Sequence, residues 1–209
     1  MAPDRARFLL EILLPQLESE QAITQKLLSS VPPDSGDFRP ATKNRSAFEL
    51  ARHIAVVDIW FLDAVVDRRF GELPPLPDTV RTCQDIAQWY AENFMCRLQL
   101  LKQLSGEDLA TDVDFIGLRK DPAVAYLSTA IRHTVHHRGQ LSAYLPSDGR
   151  VGTCNLCGKR RRALSRTGYK HQDTPSCFLR RSGEEDLFLR WPIKHSTPRQ
   201  SAISWTRAG

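Results

Sequence analysis

The sequence predicts an all-α chain, an antiparallel four-helix bundle with a poorly ordered C-terminal extension. Four stretches repeat apolar residues at three- and four-residue steps between proline, glycine or capping residues, the pattern of a helix with one buried face. No stretch alternates apolar and polar residues convincingly, so a sheet has little to build on. Apolar residues fill 41% of the 209 positions, enough for a core, yet no run of about 18 of them occurs and no membrane-spanning helix is expected.

The first helix is expected over residues 5–30, where Phe8, Leu9, Ile12, Leu13, Leu17, Ile23 and Leu27 recur at helical spacing. Pro32, Pro33, Gly36 and Pro40 then make a connecting loop. The second helix begins at Ser46, because Ser46-Ala47-Phe48-Glu49 fits a capping box in which each side chain satisfies a free backbone N–H. It runs to about residue 68, and Gly71, Pro74, Pro75 and Pro77 end it. The third covers roughly 80–104 with a buried stripe of Ile86, Tyr90, Phe94, Leu98 and Leu101, and stops at Ser105-Gly106. Residues 107–120 read as a linker with a short extended piece near 113–116. The fourth opens at Asp121-Pro122, an N-cap followed by proline in the first turn, and continues to about residue 145.

Charge divides the chain at the same place. Residues 1–145 hold 16 Lys+Arg and 19 Asp+Glu, a net −3; residues 146–209 hold 13 and 5, a net +8. The basic balance belongs to the tail and gives the bundle no footprint for nucleic acid. The apolar stretch near the N-terminus is broken by Glu11 and continues as an amphipathic pattern, unlike a secretory signal. A cytoplasmic protein with reduced cysteines is therefore expected, and Cys83 and Cys96 read as ordinary helix residues.

His133 and His137 lie four apart on the fourth helix and share a face with Tyr126, Ala130, Leu141 and Tyr144. His53 shares a face of the second helix with Leu50, Val57, Trp60 and Ala64. Both faces should point inward. A histidine pair at this spacing is a weak signal by itself, and a lone one is more often a hydrogen-bonded core residue. Three converging imidazoles would suit a divalent metal and leave part of its coordination sphere open for water or substrate. Asp58, beyond His53 on the same helix, reads either as a base or ligand-orienting group or as an exposed carboxylate, the second being favoured. Gln140 has the reach to hydrogen-bond within such a site. His136 points away, at the surface or behind a ligand, and Arg138 reads as solvated.

The segment His133-Thr-Val-His-His137-Arg-Gly-Gln140-Leu-Ser-Ala-Tyr-Leu145 resembles the last-helix motif of the DinB family, in the DinB/YfiT-like superfamily. Ser46-Ala-Phe-Glu-Leu-Ala-Arg-His53-Ile-Ala, with Asp58-Ile-Trp60-Phe61-Leu62, resembles its second helix. The resemblance covers about residues 5–145. It implies a four-helix bundle, often a homodimer, with His53, His133 and His137 as ligands to zinc, nickel or manganese. It implies one of two activities on a small-molecule substrate: transfer dependent on a low-molecular-weight thiol, or hydrolysis. The alternative is a non-catalytic, DNA-damage-inducible metal-binding protein.

Past residue 145 the helical pattern stops. Cys154-x2-Cys157 with His171 and Cys177 imitates a zinc module, and Lys159 to Arg162 would supply a basic patch for nucleic acid. A shifted reading frame accounts for the tail better. DinB-family chains follow this helix with a segment like Arg-Pro-Met-Gly-Gly-x-Val-Pro-x-Ile-Tyr-Gly and then Ser-Ala-Asp-Glu. Codons for residues 146–163, read one base later, permit that segment. Residues 146–209 are accordingly expected to be an out-of-frame, disordered extension with accidental cysteine spacing.

Overall fold

The structure is a computed structural model and describes residues 1–145. The expectations for 146–209, including the disorder, the shifted frame and the zinc-like spacing, lie outside the described residues.

Helix α1 spans Pro3–Ser30. Its buried line is Ala6, Leu10, Leu13, Leu17, Gln21, Thr24 and Leu28. This corrects the expected stripe, since Phe8, Ile12 and Ile23 are 63%, 46% and 38% exposed. Apolar residues flank more than one side of this helix, so its periodicity admits two phases. The phase adopted buries polar Gln21 and Thr24, which hydropathy would not place in a core.

Helix α2 spans Ala47–Asp67 and buries 15 of its 21 residues, as expected of a helix apolar on nearly every side. The capping box forms as read: the Glu49 N–H donates to Ser46 Oγ at 3.1 Å and the Ser46 N–H to Glu49 Oε2 at 2.8 Å. Helix α3 spans Cys83–Gln103, a few residues inside the expected start, because Thr82 and Asp85 form a second capping box. All five residues of its expected stripe are buried.

Side-chain bonds between helices set their directions. Arg7 on α1 donates to the Leu104 carbonyl at 3.0 Å, and Gln84 on α3 donates to the carbonyl of Val31, so α1 and α3 are antiparallel. Asp58 bonds Tyr90 and Asp63 bonds Arg97, so α2 and α3 run parallel. A parallel pair needs a connection that travels back along a helix of about 30 Å. The 15 residues of 68–82 reach roughly 50 Å when extended, so the loop is long enough. The last helix, α5 (Ala125–Ser142), lies antiparallel to α2, with His53 beside His137 and Phe61 beside His133. The four long helices form the expected all-α bundle, but the antiparallel arrangement expected of it is corrected for α2 and α3, which run parallel because residues 68–82 cross back along the bundle. Helix α2 packs on α3 and α5, and α1 packs on the same two from the opposite corner.

The linker between α3 and α5 holds more structure than its composition suggested. Ser105 and Asp108 form a third capping box and start the short helix α4, Gly106–Ala110. Strand β1 (Asp112–Phe115), where an extended piece was expected, pairs antiparallel with β2 (Arg119–Pro122). Ile116 and Gly117 turn the hairpin at φ 50° and 77°, left-handed values that suit glycine and tax isoleucine. Asp121-Pro122 is therefore the end of β2 and not a helix cap. Asp121 pairs with Arg119 at 3.1 Å, and the N–H groups of Ala123 and Val124 donate to Thr111 and Leu109 carbonyls. These bonds hold the chain extended until α5 can start. Proline suits the position because it ends a two-stranded edge.

Candidate metal centre

Helices α2 and α5 bring His53, His133 and His137 together, and the three are only 3%, 6% and 2% exposed. His53 Nε2 lies 3.1 Å from His133 Nε2 and 3.2 Å from His137 Nε2. Nitrogen ligands about 2.05 Å from a tetrahedral ion sit about 3.3 Å from one another. The observed spacing is close to that value. Among the described residues, the group of metal-ligating side chains gathered here is three histidines and no carboxylate.

The tautomer of one ring follows from its neighbour. His137 Nδ1 lies 2.8 Å from Gln140 Oε1, a carbonyl-type acceptor, so Nδ1 carries the proton and Nε2 presents its lone pair. The Gln140 amide in turn donates to His136 Nε2 at 3.0 Å. His136 thus backs the site from the surface, and Gln140 supports a ligand in the way outer hydrogen bonds orient metal-bound imidazoles. His53 Nδ1 is buried without a hydrogen-bond partner among the described residues.

Burial keeps the rings neutral. It drives the His53 pKa down to about 2, with the positive charge of Arg45 and the other two rings adding to the effect. Burial likewise lowers His133 to about 3, with further contributions from His137, His136 and Arg45. His137 also falls, chiefly through burial, while its bond to Gln140 works the other way. Neutral imidazoles are the form that binds metals.

Asp58 differs from its favoured reading, because it is 3% exposed. Its Oδ2 accepts from the Tyr90 hydroxyl at 2.7 Å. Burial raises its pKa to about 6, opposed by Tyr90, Thr134 and Arg138. Arg138 is not solvated either: its side chain is 12% exposed, pairs with Glu20 and donates to Thr24 Oγ1 at 3.1 Å. Thr134 and Arg138 each follow a histidine of the cluster. The polar network therefore ties the back of the ligand-bearing helix to α1, α2 and α3. Hydropathy cannot find such residues, since its prior puts aspartate and arginine outside.

Two neighbours went unread in the sequence. Phe61, eight residues past His53, puts its ring 6.0 Å from that of His133. Arg45, eight before His53, acts on all three imidazoles. For Phe61, on the same helix as His53, eight residues is close to two turns, a signal that existed but was indistinct among the many apolar positions nearby; Arg45 lies before the Ser46 cap, where helical spacing carries no signal.

Residues 16–141 match the family model described as DinB superfamily. The chain belongs to the DinB superfamily. It is 26% identical over 134 residues to the uncharacterized protein YjoA of Bacillus subtilis (strain 168), spanning 63% of this chain and 85% of that one. The crystal structure of that DinB-like protein aligns with a TM-score of 0.53 at 27% identity, over 63% of this chain and 87% of YjoA. A DinB-like protein from Bacillus cereus ATCC 10987 aligns with a TM-score of 0.55 at 28% identity, over 64% and 89%. Family membership and the helical fold follow. Among the described residues, no helix is long and apolar enough to cross a membrane.

Proposed function

We propose that this DinB-superfamily chain holds a divalent ion, zinc, nickel or manganese, on His53, His133 and His137 and is a metal-dependent enzyme acting on a small molecule. The reaction is transfer dependent on a low-molecular-weight thiol, or hydrolysis. One observation carries the reading: three buried imidazoles from two helices point Nε2 atoms at a common place, two of the separations being 3.1 and 3.2 Å. His137 directs a lone pair to this place, and a cation there would hold the other two rings in the same acceptor form. The donor set fits, being neutral nitrogen at ordinary ligand spacing with an outer hydrogen bond on one ring.

A bound ion would supply Lewis acidity, lowering the pKa of water or of a thiol in an open position. The chain's own residues do the rest. The histidines would set the coordination geometry, Gln140 holds the His137 ring, and the Phe61 ring stands beside that of His133. Asp58, bonded to Tyr90, anchors the bundle behind the site. Three protein ligands, rather than the four of closed structural sites, leave room for substrate.

The test is metal analysis of the full chain beside His53→Ala and His137→Ala variants, followed by turnover assays with thiols and hydrolysable esters or amides. We expect about one ion per wild-type chain and a large loss in both variants. Unchanged metal content in the variants would remove the ligand assignment. Retained metal without turnover would favour the non-catalytic, damage-inducible protein.

A further inference from the structure

The end of the bundle above the histidines carries a guanidinium, that of Arg45, with no hydrogen-bonded counter-ion among the described residues. Arg45 immediately precedes the Ser46 cap of α2, eight residues before His53. Tyr144 follows α5, two residues past its end at Ser142. Phe38, from the loop before α2, packs edge-on against Tyr144 with ring centroids 6.1 Å apart. The backbone closes this rim, the Ala47 N–H donating to the Phe38 carbonyl at 3.0 Å.

Arg45 is half-buried and makes no hydrogen bond or close ion pair among the described residues. Glu49 is the carboxylate that bears on Arg45, through space and without a hydrogen bond, and its oxygens are bonded elsewhere. Glu49 takes both nitrogens of the Arg39 guanidinium at 2.9 and 3.1 Å and the Ser46 N–H at 2.8 Å. A dication on three neutral imidazoles beside this guanidinium would place about three positive charges in a largely buried site without a carboxylate ligand. Such a site binds its small-molecule ligand as an anion, and a guanidinium is shaped to take a carboxylate with two parallel hydrogen bonds.

We propose that Arg45 is the anion-recognition residue of the metal centre and that the ligand entering its open position bears a carboxylate. This rests on the metal reading above. It adds a selectivity: charged carboxylates are accepted and neutral isosteres of the same size are refused. The Phe38–Tyr144 pair forms the apolar wall beside the guanidinium.

The experiment loads the full chain with Co2+ and follows its visible absorption while acetate, or acetamide as the neutral isostere, is added at constant ionic strength set with perchlorate. The same titrations are made on Arg45→Gln and Arg45→Lys, with circular dichroism as the check on folding. Acetate should perturb the wild-type spectrum, bind about tenfold more weakly to Arg45→Gln, and recover part of that loss in Arg45→Lys; acetamide should bind weakly to all three. Without added carboxylate, Arg45→Gln should bind Co2+ several-fold more tightly, since a repelling charge has gone. Equal acetate affinity in wild type and Arg45→Gln overturns the assignment, as does equal response to acetate and acetamide. A cobalt spectrum that survives His53→Ala refutes the metal reading, and this inference with it. A histidine-dependent spectrum indifferent to acetate refutes the inference alone.

Discussion

Replacing Asp58 by asparagine should make the protein more stable at neutral pH than at acid pH relative to wild type. Asp58 is wholly enclosed, and burial raises its carboxyl pKa from 3.8 to about 6. A group that holds its proton more tightly folded than unfolded loses stability as pH rises between those values, because the unfolded chain releases the proton first. Below pH 4 both states are protonated and the penalty is absent. Above pH 6 it is complete. The shift of roughly two units corresponds to about 3 kcal/mol, at about 1.4 kcal/mol per unit. Asparagine retains an oxygen to accept the Tyr90 hydroxyl and never ionises. Urea unfolding of both proteins at intervals from pH 4 to 8 isolates the carboxyl, since every other titrating group cancels in the difference. The stability of Asp58→Asn minus that of wild type should climb by up to about 3 kcal/mol between pH 4 and 6 and then level. A flat difference would mean that the carboxyl does not titrate there. A difference falling with pH would mean that ionised Asp58 is favourably paired with Arg138, and the burial argument would be wrong.

The histidines have the opposite linkage. In metal-free protein His53 and His133 are depressed from 6.5 to about 2 and about 3, so their contribution is present above pH 6.5 and lost as pH falls towards those values. The midpoint of urea unfolding should therefore drop on acidification, and His53→Gln should lessen the drop; an unchanged pH profile would contradict this. Gln140→Leu should weaken metal binding by roughly 10–100-fold by releasing the His137 ring, measurable by competition with a chelator. Equal affinity would show that the bond at 2.8 Å does not orient the ligand. Gly106→Ala would place a Cβ 2.7 Å from the Pro3 carbonyl oxygen and 2.9 Å from its carbon, both backbone atoms. A loss of about 1–3 kcal/mol is expected from the forced shift, read as a lower thermal midpoint; no change would mean that the start of α1 yields freely.

Local chemistry made much of this protein legible from its residues. Ser46 and Glu49 determine where α2 starts whatever packs around it, because a cap is satisfied within one turn. The α3 stripe was plain since its five apolar residues fall on one narrow face. The His133–His137 spacing and the face of His53 marked two halves of a site. Tertiary contact decided the rest. It chose between two phases of α1, turned Asp121-Pro122 from a cap into a strand end, and ran α2 parallel to α3 through a loop whose composition carries no direction. It also put Asp58 and Arg138 inside, because partners from other helices offset a desolvation penalty that neither residue can meet alone. Convergence of His53 on the pair from α5 belongs to this second group: periodicity can tell which face of a helix a ring occupies, but only the packing of two helices 80 residues apart in sequence can bring the nitrogens to 3.1 Å.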